Sequence, residues 1–96
     1  MDEAIRFDWD RANTEHIALH GVKPQEAEAA LENDPVDVDY EVVQAEDRWT
    51  SIGHTDRLRV LKLVWTLRGN IVRVVTALDA SKNEARAYLR AKGIAL

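Results

Sequence analysis

Residues 59–78, RVLKLVWTLRGNIVRVVTAL, are two apolar runs separated by Arg68-Gly69-Asn70. β-Branched and aromatic side chains favour a pleated, half-buried backbone, and Gly and Asn tolerate the positive φ of a tight turn. The segment therefore predicts a hairpin of two strands, Arg59 to Leu67 and Ile71 to Leu78. In the first of these, Leu61, Leu63, Trp65 and Leu67 fall on one face and Val60 and Val64 on the other. A strand apolar on both faces belongs in the middle of a sheet.

Working outward, Arg48 to Thr55 reads as a strand of mixed faces. Val36, Val38, Tyr40 and Val42 alternate with Asp37, Asp39 and Glu41, the period of a half-buried strand. With the hairpin these make an antiparallel meander of about four strands. Downstream, Ser81-Lys82-Asn83-Glu84 is a capping box that opens a helix with Ala85, Tyr88 and Leu89 inward and Arg86 and Arg90 outward. Gly93 stops it.

Upstream, residues 7–22, FDWDRANTEHIALHGV, predict a short helix from about Arg11 to His20. Asp10 is its N-cap and Gly21 its stop, with Ala12, His16 or Ile17, and Leu19 inward and Trp9 folded back as a lid. Residues 4–8 form a short strand or an extended lead-in. A second helix starts at Pro24 and runs to about Glu32, burying Ala27, Ala30 and Leu31, until Asn33-Asp34-Pro35 ends it. The fold class expected is α+β: two short N-terminal helices, the antiparallel sheet and a C-terminal helix.

A chain of 96 residues allows one domain, residues 1–96. At that size only roughly two-thirds of the unfolded surface is buried. With no cysteine there is no disulfide framework, thiolate metal site or cysteine nucleophile. The start MDEAIRFDWD has no apolar leader, and no apolar run approaches the ~18 residues that span a bilayer. A cytoplasmic protein without membrane contact is expected. The net charge of −4 hides a division: residues 1–50 carry −10 and residues 51–96 carry +6. Such asymmetry fits a face for a polyanion or an acidic partner, and equally fits a basic half lying against an acidic one.

Phe7-Asp8-Trp9-Asp10, His20-Gly21-Val22, Asp34-Pro35, Arg48-Trp49, Ile52-Gly53, Arg59-Val60-Leu61, Arg68-Gly69, Arg73-Val74-Val75-Thr76-Ala77, Glu84 and Tyr88 occur in an order that resembles the BrnT-type toxins, a branch of the RelE-like ribonuclease toxins. The resemblance runs nearly end to end. It implies a small α+β endoribonuclease that cleaves mRNA, on or off the ribosome, and stops translation. A ribbon-helix-helix antitoxin would neutralise it, with a homodimer or a toxin–antitoxin hetero-oligomer as the assembly. It also implies that Arg48, Arg59 and Arg73 are kept basic. Where relatives tend to carry a cation, this chain has Leu19 and Leu78; His54 replaces a frequent Arg, and Leu58 a frequent turn Gly. The alternative is a catalytically weakened member that acts as a binding module.

RNA cleavage without metal needs a base for the 2′-hydroxyl, an acid for the leaving 5′-oxygen and cations over the phosphate. His20 is the expected proton-transfer residue, with Arg48, Arg59 and Arg73 as the phosphate cradle. Trp49 is the candidate for base stacking, and Arg57 and Arg86 for further RNA contact. His16 and His20, four apart, share a helix face as zinc-binding pairs do. No spacing points to a third ligand among His54, Asp8 and Asp10, so no metal or other cofactor is expected.

Overall fold

The computed structural model describes residues 4–94. The predicted hairpin is β3 (Val60–Arg68) and β4 (Ile71–Asp79), with β1 (Val36–Val43) and β2 (Glu46–His54) extending it into one antiparallel sheet of order β1-β2-β3-β4. Two helices, α1 (Arg11–Ala18) and α2 (Pro24–Glu32), precede the sheet, and α3 (Lys82–Ala91) follows it. The α+β class and element order match the sequence expectation.

Alternation along the strands divides the core in two. Leu61, Leu63, Val74 and Ala77 meet Ile17 of α1 and Ala27, Ala30 and Leu31 of α2, with Phe7, Trp9 and Trp65 at the margin. On the other face Ile52 meets Tyr88 and Leu89 of α3, flanked by Val36, Val60 and Ile94. Gly53 sets how closely α2 lies on β2: a Cβ there would stand 2.1 Å from the Ala30 carbonyl oxygen. Any larger residue at 53 must push the helix off the sheet.

The capping of α1 is built as expected, with the Asp10 carboxylate accepting from Asn13 N–H and the Asn13 side chain accepting from Asp10 N–H. Of the face expected inward, only Ile17 is buried. Asn13 and Ile17 are the buried residues, while Ala12 and His16 are exposed and Leu19 is 81% exposed. Asn13 sinks because its amide donates to the carbonyls of Asp8 and Val74, at 2.9 and 3.2 Å. Trp9 reaches across to α2 and donates from Nε1 to Glu28 at 2.8 Å.

The alternation of β1 also misleads, since its central residues are exposed on both faces rather than half-buried. No helix covers Tyr40 or Val42, and a bulge between Asp37 and Asp39 shifts the register at Val38. The β1–β2 turn places Gln44 and Ala45 at φ +52° and +63°, and the β2–β3 connection places Leu58 at +62°. All three are left-handed positions that favour Asn or Gly. Among the described residues no helix is long and apolar enough to cross a membrane.

Candidate functional site

Residues 6–8 pair with the edge of β4. Asp8 N–H donates to the Val72 carbonyl at 2.8 Å and Val72 N–H to the Arg6 carbonyl at 2.9 Å, which brings α1 alongside that edge. A hollow of about 290 Å³ forms between α1 and the ends of β2, β3 and β4. Its lining includes Ala12, Asn13 and His16 from α1, Glu46 and Arg48 from β2, Thr66 and Arg68 from β3, and Arg73 from β4. Thr66 is buried and donates from Oγ1 to the Asp47 carbonyl at 2.6 Å.

Each arginine of the hollow has a carboxylate partner. Arg73, only 12% exposed in its side chain, lies 3.3 Å from Asp8 and 3.1 Å from Asp10. The hydrogen bond from Arg73, together with that from the Asn13 backbone, holds the Asp10 carboxyl below its ordinary range; the same bond raises Arg73. Arg48 bonds Glu46 at 3.2 Å, and Arg68 stands 3.9 Å from Asp8. Fixed guanidinium groups present forked donors, the geometry that suits a phosphate. An incoming anion must displace or share these carboxylates.

The structure brings together only part of the set read from the sequence. Arg48 and Arg73 share the hollow; Arg59 does not. Register explains the separation: Arg73 stands opposite Thr66, seven residues along from Arg59, or roughly 23 Å of strand. Arg59 instead donates to Asp79 at 2.8 Å, to the Gly21 carbonyl at 2.9 Å and to Glu26 at 3.1 Å. It ties the start of α2 to the end of β4, beside a second hollow of about 670 Å³ that Arg57 also lines. His20 is exposed and lines neither hollow, but its ring meets that of His16 edge-on at 5.9 Å.

Trp49 follows Arg48 in β2 and so points to the opposite face. There it stacks on Trp65 at 4.8 Å and meets Tyr40 at 5.5 Å. Arg86 is exposed on α3, next to Arg90 and well removed in sequence from the arginines of the hollow. Sequence reasoning passed over His16, Asn13 and Arg68 as residues of this site. The Asp10-x-x-Asn13 cap and the position of Arg68 at the turn of the hairpin were the available signals. Among the described residues no three His, Cys, Asp or Glu side chains stand together as a metal site would need.

The charge division resolves only in part into internal pairing. Arg59 with Glu26, Arg73 with Asp8 and Asp10, Arg68 with Asp8, and Lys92 with Asp34 all join the basic half to the acidic one.

A small sheet with an arginine- and histidine-lined hollow against its first helix is the kind of scaffold a ribonuclease toxin can use. The family model described as ribonuclease toxin, BrnT, of type II toxin-antitoxin system matches residues 9–84, and the chain belongs to that family. No curated protein matches the chain.

Proposed function

We propose that this protein is an mRNA endoribonuclease that inhibits translation, and that the hollow between α1 and the sheet binds the scissile phosphate. The observation that carries the reading is the convergence of Arg48, Arg68, Arg73 and His16 on one concavity in a member of a ribonuclease toxin family. In this reading Arg48 and Arg73 hold the phosphate oxygens as charge develops, and Arg68 supplies a mobile third cation. An imidazole removes the 2′-hydroxyl proton, O2′ attacks phosphorus, and the P–O5′ bond breaks with a proton returned to O5′. His16 stands in the hollow for this transfer, with His20 edge-on beside it in the turn that follows α1. Arg59 serves by holding the helix–sheet corner, and Arg57 and Arg86 add charge along the RNA.

Leu19 and Leu78 do not remove cations from the hollow. Leu19 points to solvent beyond α1, and Leu78 pairs with Lys62, four residues along β3 from Thr66. One observation does favour the alternative of a binding module without cleavage: every arginine of the hollow already has a carboxylate partner. In either case the partner proposed is a ribbon-helix-helix antitoxin, in a cytoplasmic hetero-oligomer or alongside a toxin homodimer.

Induced expression tests the reading. Growth should stop and cellular RNA should fragment, with purified Arg48→Ala and His16→Ala each losing about a hundredfold in cleavage rate. The loss from His20→Ala should be smaller. A wild-type chain that is soluble, abundant and harmless would sink the cleavage reading and leave the binding module.

A further inference from the structure

β1 ends the sheet, and among the described residues its outer backbone edge pairs with no other segment. Its side chains sort by face. Tyr40 and Val42, 52% and 59% exposed, share the face of Trp49, while Asp39 and Glu41 share the face of Arg48. Neither Asp39 nor Glu41 has a cation within ion-pair distance among the described residues, because Arg48 turns to Glu46. Beyond the bulge at Val38, residues 39–43 keep a regular register, a stretch of roughly 17 Å. At its start an apolar groove of about 280 Å³ runs between Val36, Val38 and Tyr88 of α3.

We propose that β1 is the docking strand for an extended basic segment of a protein partner, whose residues alternate apolar and cationic. Added as a fifth strand, such a segment lays apolar side chains beside Tyr40 and Val42 and Lys or Arg beside Asp39 and Glu41. Main-chain bonds give the affinity of this mode, and the alternating side chains give its specificity. Charge selects the occupant. A second copy paired antiparallel about β1 would set one acidic row against another, and like charges directly opposite destabilise a sheet. Nucleic acid meets the same repulsion. The proposal rests on the toxin reading only in identifying the partner as the antitoxin.

The test is titration of ¹⁵N-labelled protein with the synthetic peptide KVKVKVKV, with EVEVEVEV as control. The first should shift amides of residues 38–43 and bind at least tenfold more tightly than the second. The variant Asp39→Lys with Glu41→Lys should reverse that preference without changing the melting temperature, since both side chains are exposed. Absence of binding, equal binding of both peptides, or shifts away from β1 would overturn the proposal. So would a dimer in sedimentation that buries β1, or an RNA oligonucleotide that shifts it. Cleavage measured on the same samples separates the two claims: a chain that binds the peptide and cleaves no RNA keeps the docking strand and loses the ribonuclease.

Discussion

Along β4 the chain covers its own sheet edge. Residues 6–8 pair with Val72, Asn13 donates to the Val74 carbonyl, and Arg73 is clamped between Asp8 and Asp10. Along β1 nothing of the kind is found among the described residues: Val38, Tyr40 and Val42 are more than half exposed, and Asp39 and Glu41 pair with no cation. An open edge invites pairing, and proteins usually blunt it with a bulge or charge. Here both devices are present, but the charge is all acidic, so self-pairing is discouraged while a basic strand is not. Spending residues 6–13 on the other edge creates the wall of the arginine hollow. One sheet thus separates an arginine-lined concavity from an acidic, open margin.

Removing the closure should cost most. Asn13→Ala strips the buried carbonyl of Val74 of its donor and opens the cap of α1, for an expected loss of about 2–3 kcal/mol in urea unfolding. At the open edge the turn itself is the weak point, because Gln44 and Ala45 both sit at positive φ. Ala45→Gly should relieve that strain and raise stability by about 0.5–1 kcal/mol, read from the same midpoint.

Acid should loosen the closed edge. The folded-state pKa of Asp10 lies below its unfolded value, chiefly through Arg73, so the stability it contributes is complete above the ordinary aspartate range. That stability is lost as pH falls through this range to the lower folded value. Its size is small, because Asp10 is exposed and water screens the pair. Protection from hydrogen exchange at α1, taken relative to the intrinsic rate, should fall on acidification more than protection at β3, and Asp10→Asn should remove the difference. Least of all should change at the margin: Val42→Ser is expected to alter stability by no more than about 0.5 kcal/mol. A larger loss would mean the chain itself uses that face.

Local signals were enough for the elements. Period-two alternation gave the strands, Pro24 and Asn33-Asp34-Pro35 bounded α2, and Ser81 with Glu84 opened α3. What the residues did not reveal was which faces the elements would find covered. Val36 to Val42 has a proper half-buried pattern, yet among the described residues only Val36 finds cover, against Ile52 and α3. The inward side of α1 was misplaced because hydrophobicity favours Ala12 and Leu19, whereas the position against β4 goes to Asn13, whose amide answers two backbone carbonyls. The site was half legible for a related reason. Residue type marked Arg48, Arg59 and Arg73 alike, but only register separates Arg59, at the far end of β3, from the other two. The four-residue spacing of the two histidines reads as one helix face, but α1 ends at Ala18, so His16 stands in the hollow and His20 falls in the turn outside it.

The division of the sheet into a polyanion-binding end and an acidic margin is tested most directly by mapping RNA onto ¹⁵N-labelled protein. A short 2′-O-methyl oligonucleotide, which lacks the attacking hydroxyl, reports binding without cleavage. The prediction is that amide shifts concentrate in α1 around Ala12 and His16 and at Arg48, Arg68 and Arg73, and fade as salt is raised. Shifts centred on Arg57 and Arg59, or along Tyr40 to Val42, would contradict it.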